Sequence, residues 1–247
     1  MRIDILTLLP EAFGGPLECG ILGRARDRGL VTVNVVNIRD FATDKHHVTD
    51  DAPFGGGPGM VLKPEPIFGA VESLKDVNSL ENIVLLSPQG RRFNQEIARD
   101  LASKKDIVLV CGRYEGVDER VRLGLVTDEI SIGDYVLSGG EIPAMVVVDA
   151  VSRLVPGVIG NESCLTTDSF CRASLGFPQY TRPQLFRGMS VPDVLLSGDH
   201  KMIERWRLKE AFKRTLRRRP DLIDKGRLGA SEVAIFEQIK AEFDAEW

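Results

Sequence analysis

The chain has 247 residues, 43% of them hydrophobic, enough to bury one sizeable core or a larger and a smaller one. No stretch approaches the roughly 18 to 20 apolar residues of a membrane span, and the N-terminus, MRIDILTLLP, carries an acid and no small-residue cleavage site, so a cytosolic location is expected. A net charge of −4 spread evenly would disfavour nucleic acid, but Asp199 to Arg227 holds eleven Lys and Arg against five Asp and Glu, a local +6 that leaves −10 elsewhere.

Met1 to Leu9 has the apolar density of a buried first strand, ended by Pro10. Residues 17 to 28 read as a helix stopped by Gly29, and Val31 to Ile38 as a second strand. Arg39 to Met60 is an irregular stretch, rich in turn residues, that contains His46 and His47; loops this long inside a folded chain are functional or disordered. Pro64 to Leu74 reads as a helix with Pro in its first turn, and Ile83 to Leu86 as a strand. Phe93, Ile97 and Leu101 recur every four residues and mark a helix, followed by strands at Ile107 to Cys111 and Thr127 to Ile132. Strands alternating with helices predict a parallel sheet with a ligand beyond the carboxyl ends of its strands.

From Pro143, Ala144, Val147, Val148, Val151, Leu154 and Val155 follow helical spacing, although so many valines favour a strand; periodicity is given the greater weight. Pro156-Gly157 ends this element, and 158–175 has no period and many small polar residues, as a flexible linker would. The expected organisation is an α/β domain over 1–157, the linker 158–175, and a small mainly helical domain over 176–247, with helices at Gly198 to Arg219 and Ser231 to Phe243. The hydrophobic residues of the first of these, Met202, Trp206, Leu208, Phe212 and Leu216, spread around more than half the helical wheel and define no single face. Cys19, Cys111, Cys164 and Cys171 form no CxxC pair, and with three histidines they give a zinc site little raw material.

Three loops leave the carboxyl ends of three predicted strands: Ser87 to Gly90, Gly112 to Gly116, and Ile132 to Gly140. Together they could line one crevice, with glycines where the chain passes close to a ligand. The dinucleotide and P-loop fingerprints are missing, since Phe54-Gly55-Gly56-Gly57-Pro58-Gly59 has neither spacing. Two of these loops carry a resemblance. Cys-Gly-Arg-Tyr-Glu-Gly-Val-Asp-Glu-Arg (111–120) followed by Ile-Gly-Asp-Tyr-Val-Leu-Ser-Gly-Gly-Glu (132–141) resembles the bacterial tRNA (guanine-N1)-methyltransferases that modify guanosine 37, of the knotted SPOUT class. Phe177 to Pro183, Gly198 to Arg207 and Lys213 to Leu222 resemble the family's tRNA-binding domain, with Phe54 and Phe177 where the family often has Tyr.

The resemblance implies a SPOUT-type parallel-sheet fold with a deep trefoil knot, a homodimer with its active site at the dimer interface, and S-adenosyl-L-methionine as methyl donor. On it, the donor is held by Leu86, Ser87, Pro88, Gln89 and Gly90; by Gly112, Tyr114 and Gly116; and by Ile132, Gly133, Asp134, Tyr135, Val136, Leu137, Gly139, Gly140 and Pro143. Methylating N1 of neutral guanine needs a base for the N1 proton. Asp168, in Thr-Thr-Asp-Ser-Phe, matches the family's catalytic Asp, and Arg153 its catalytic Arg, which would stabilise charge developing at O6. Glu115 would meet the substrate guanine or orient the donor. His46, Gly55, Gly57 and Gly59 in the long loop, and Lys201, Arg205, Arg214, Arg217, Arg218 and Arg219 in the basic segment, would contact tRNA. Magnesium is associated with the family and would be held by Glu115, Asp168 or the RNA, although no His, Asp and Glu cluster has metal spacing. The rival readings are a knotted methyltransferase acting elsewhere on RNA, and a nucleotide-responsive RNA-binding module without turnover.

Overall fold

A computed structural model of the chain describes residues 1–74, 81–160, 168–171 and 174–245, so the expected linker falls partly outside the described residues. The chain divides into two compact units, Met1–Gly160 and Asn161–Trp247. No helix among the described residues is long and apolar enough to cross a membrane.

The first unit is built on five parallel strands. β1 (Arg2–Thr7), β2 (Thr32–Asn37), β5 (Ile83–Arg92), β6 (Asp106–Cys111) and β7 (Asp128–Ser131) lie in the order β2-β1-β6-β5-β7. β3 (Asp50–Asp51) and β4 (Val61–Leu62) form a separate short antiparallel pair inside the long irregular stretch. β6 is apolar at every position after Asp106 because both its faces are covered. Ile107, Leu109 and Cys111 join one core and Val108 and Val110 the other. The buried polar residue of β1, Asp4, pairs with Arg2 at 2.8 Å and accepts from the amide of Asn34, its cross-strand neighbour on β2.

The helices divide between the two faces. α1 (Gly14–Glu18), α2 (Gly20–Asp27), α4 (Gln95–Ala102) and α6 (Glu141–Ser152) pack with one core, while α3 (Pro64–Glu72) and α5 (Glu119–Gly124) pack with the other. The connection leaving β5 therefore runs through α4 on one face, and the connection leaving its neighbour β6 runs through α5 on the opposite face. Adjacent strands whose connections part in this way open a crevice at their carboxyl ends. The topology thus puts the most favourable ligand position between Leu86 and Cys111.

Several elements differ from those read in the sequence. Residues 17–28 hold the end of α1 and the whole of α2, because Cys19 between them is extended, with φ of −113° and ψ of 167°, and Gly20 follows at a φ of +66°. α5 has a single fully buried residue, Val121, and six positions, too few to display a period; its start is fixed by Asp118, whose carboxylate accepts from the backbone N–H of Arg120. β5 continues beyond Leu86. Leu86 and Arg91 are both in register with Ile130, so Ser87 to Gly90 swing out of the sheet and the strand resumes at Arg91. In α6 the helical period prevails over the strand preference of its valines, since Ala144, Val147, Val148 and Val151 are all buried on one face.

Among its described residues the second unit contains a short hairpin, β8 (Leu185–Phe186) with β9 (Met189–Ser190), and two α-helices, α7 (His200–Arg218) and α8 (Ala230–Ala245). Its core is small: Phe212 of α7 against Phe236 and Ile239 of α8, with Leu208 and Leu216 packed alongside. Phe212 and Phe236 meet edge to face, with ring centroids 5.5 Å apart. This accounts for the missing single face on α7. Its carboxyl half is buried against α8, whereas in its amino half Trp206 pairs with Tyr180 of the preceding segment and Met202 is exposed.

Candidate functional site

At the carboxyl ends of β5, β6 and β7 the three loops enclose a cavity of about 260 Å³. Leu86, Ser87, Pro88 and Gln89 form one side of it, Gly112, Tyr114, Glu115 and Gly116 the middle, and Ile132, Gly133, Tyr135, Val136, Leu137, Gly139, Gly140 and Pro143 the other side. Two residues expected to hold a ligand there, Gly90 and Asp134, do not line it. Gly90 has a structural task. A Cβ at this position would stand 2.4 Å from the backbone nitrogen of Ile130, so only glycine lets β5 rejoin β7 after the excursion. Asp134 is exposed and pairs with Arg92 at 2.8 Å, which ties the start of the third loop to the resumed end of β5.

Main-chain bonds hold the loops to one another. The N–H of Gly140 donates to the carbonyl of Gly112 at 2.8 Å, and Arg113 and Gly139 form an antiparallel bridge. Gly140 is required for this approach, because a Cβ there would lie 2.6 Å from Cα of Cys111. The middle loop is also fastened to the long irregular stretch: Glu115 N–H donates to Met60, Leu62 N–H to Gly116, and Asp118 N–H to Leu62. Gly59, at φ of +81°, packs so closely on the Glu115 side chain that a Cβ would stand 2.4 Å from Oε1. The glycine-rich segment 54–60 is therefore part of the support for the middle loop.

Beneath the loops lies a buried polar junction that sequence reasoning missed. Thr7 Oγ1 donates to Glu141 Oε1 at 2.8 Å, and Arg113 contacts Glu141 Oε2 at 3.0 Å, with Thr7 and Glu141 almost fully buried. The carboxylate sits in the first turn of α6, where the helix dipole favours negative charge. It joins β1, the middle loop and the third loop at one point. Burial, and then the charge of Glu141, push the Cys111 thiol well above its ordinary value, so this cysteine is a neutral core residue rather than a nucleophile. Arg122, Glu119 and Glu129 also line the cavity: Arg122 lies 3.3 Å from each carboxylate and donates to the Gln89 side chain. The spacing of Glu119 and Arg122 was a visible helical signal for this pair; nothing in the sequence pointed to Thr7.

The remaining expected residues lie outside this cavity. Arg153 is the residue that ends α6, its N–H donating to the carbonyl of Asp149. Asp168 belongs to the second unit and is exposed, and its carbonyl accepts from Cys171. His46 is exposed in a turn organised by Asp44, whose carboxylate accepts from the N–H groups of His46 and Val48. Gly55, Gly57 and Gly59 are exposed at positive φ. Lys201, Arg205, Arg217 and Arg218 are exposed on α7. Arg214 donates to the carbonyl of Gly176, and Arg219 grips Asp221 through two bonds of 2.8 and 2.6 Å. Among the described residues no group of three or more His, Cys, Asp and Glu could hold a metal ion.

A family model described as tRNA (Guanine-1)-methyltransferase TrmD matches residues 1–225. A Dictyoglomus turgidum protein named tRNA (guanine-N(1)-)-methyltransferase is 56% identical over 246 residues, covering 100% of this chain and 99% of its own length. Proteins of the same name from Dehalococcoides mccartyi strain CBDB1 and from Staphylococcus carnosus are 55% and 54% identical, the former across 100% of both chains and the latter across 98% of both.

Proposed function

The chain belongs to the tRNA (guanine-1)-methyltransferase family, and from that premise we propose that it transfers the methyl group of S-adenosyl-L-methionine to N1 of guanosine 37 in tRNA. The observation that carries this reading is the extent of the match. Relatives align over the whole chain, across both the unit with the cleft and the unit with the basic helix.

The cleft suits an adenosyl ligand. Flat apolar surface is offered by Leu86, Ile132, Leu137 and Pro143, and main chain comes within reach where Gly112, Gly139 and Gly140 line the cavity without a side chain. The buried Glu141 junction fixes the loops before a ligand arrives, so little ordering cost remains on binding. When bound, S-adenosyl-L-methionine supplies an electrophilic sulfonium methyl group. The chain's own residues then have three tasks. Asp168 accepts the N1 proton as the methyl group is transferred. Arg153 stabilises the charge that develops at O6. Glu115, at the edge of the cleft and pressed against Gly59, orients the target guanine.

The same reading includes a knotted SPOUT topology and a homodimer in which Asp168 of one chain serves the cleft of the other. The bond from Gly140 to Gly112 and the bridge between Arg113 and Gly139, which tuck the third loop against the second, support the former. Asp168 belongs to the second unit and the residues lining the cleft to the first, and the latter reading gives each such acid a cleft to serve.

The test is methyl transfer to two tRNA transcripts that differ only in having G or A at position 37, with the product nucleoside identified by mass spectrometry. N1-methylguanosine from the first and no product from the second is expected. Equal methylation of both would overturn the assignment.

A further inference from the structure

The second unit contains a cavity of its own, about 430 Å³, walled by residues 178–182 and Gln184, by Val191, Leu195 and Leu196, and by Ile203 and Arg207 of α7. Among the described residues its charged lining is Arg182 and Arg207, with no carboxylate, on a chain whose net charge is −4. Tyr180 on its wall is half-exposed, and its ring stands 6.3 Å from that of Trp206 at 54°, so the phenol is supported from one side and open on the other. Gln179 and Gln184 add carboxamides that can both donate and accept.

Each property narrows the ligand. Two cations without an opposing acid favour an anion over an acidic-residue-poor protein surface. A supported aromatic face exceeds what a free anion needs but suits a planar base, because every nucleobase has a face to stack. Two carboxamides on the wall can donate to and accept from the edge of an unpaired base. We propose that this cavity takes one unstacked nucleotide of the tRNA, with its base on Tyr180, its edge at Gln179 and Gln184, and its phosphate at Arg182 and Arg207. None of its described lining residues is a carboxylate that could accept a proton, so the nucleotide it takes is gripped and not methylated. This rests on the reading of tRNA as the partner.

The proposal is tested by equilibrium binding of a tRNA transcript to the full-length chain, without methyl donor, over a range of salt concentrations. Tyr180→Ala is expected to weaken binding about ten- to a hundredfold, from the loss of one stacked base, while leaving the salt dependence unchanged. Tyr180→Phe keeps the stacking face and is expected to bind like the wild type. Arg182→Gln is expected to lower the salt slope by about one. Thermal unfolding followed by circular dichroism should show the wild-type transitions in all three and verify that the second unit, to which both residues belong, is folded in each. Wild-type tRNA affinity in Tyr180→Ala overturns the proposal. So does a loss of affinity that sedimentation shows to accompany dissociation of a dimer, because the cavity would then be an interface between copies of the chain. Since binding is read without turnover, a chain that bound tRNA through Tyr180 and methylated nothing would overturn the functional reading and leave this one standing.

Discussion

The two units offer a ligand different kinds of surface. In Met1–Gly160 the cleft joins apolar side chains to glycine main chain, its shape held by loop-to-loop main-chain hydrogen bonds and set on the buried junction of Thr7, Arg113 and Glu141. In Asn161–Trp247 the surface is side chain: exposed cations on α7, a half-exposed Tyr180, and beneath them a core centred on Phe212, Phe236 and Ile239. A site whose shape depends on close main-chain approaches selects by shape and tolerates few changes of volume. A side-chain site selects by charge and stacking, so its losses arrive in small steps and depend on salt. Donor binding and RNA binding should therefore fail separately.

The largest effect expected is that of Asp168→Asn. Transfer should fall by about a thousandfold or more, as for loss of a general base, while calorimetry shows donor affinity unchanged; near-normal turnover would remove Asp168 from the chemistry. Phe212→Ala comes next and tests whether the units are independent. Truncating a fully buried Phe costs about 3–5 kcal/mol, a large share of what so small a core can supply. Thermal unfolding should show an early transition and RNA binding should vanish, with donor binding retained. Loss of donor binding in this variant would show that the cleft depends on the second unit. Gly140→Ala is the reverse experiment. Its methyl group would displace the third loop from Cys111, and donor affinity should drop about a hundredfold, on the order of 2–3 kcal/mol of overpacking strain, while binding to tRNA alone is preserved.

What could be read in the sequence follows the same division. The sheet was legible because strands buried on both faces are continuously apolar, as β6 is, and the alternation with helices set their direction. The three loops were legible because strand ends and glycines coincide. Gly90 and Asp134 belong to those loops yet leave the cavity, since a bulge in β5 and a surface ion pair with Arg92 decide where they go, and neither leaves a mark on periodicity. Glu141 could be seen only as a carboxylate after two glycines; its partner Thr7 is 134 residues away, and only the packing of α6 beside β1 brings them together. α7 was legible as a helix but its faces were not, because its two halves pack against different neighbours.

The smallest effect separates two adjacent arginines. Arg218→Ala should weaken tRNA binding a few-fold and lower the salt slope by about one, as expected for one phosphate contact. Arg219→Ala should do less at neutral pH, because the guanidinium already forms two bonds with Asp221. Those bonds hold the Asp221 carboxyl below its ordinary value. The sign follows from that direction. A depressed carboxyl keeps its partner above the ordinary carboxylate range and loses it as pH falls through the lowered value. Protonating Asp221 would release the Arg219 guanidinium for phosphate. The difference in tRNA affinity between the wild type and Arg219→Ala should therefore widen as pH is lowered from neutrality into the acid range, while that between the wild type and Arg218→Ala stays nearly constant. A gap for Arg219 that is already full at neutral pH would mean that RNA displaces Asp221 unaided, and that the ion pair does not restrain this end of the basic surface.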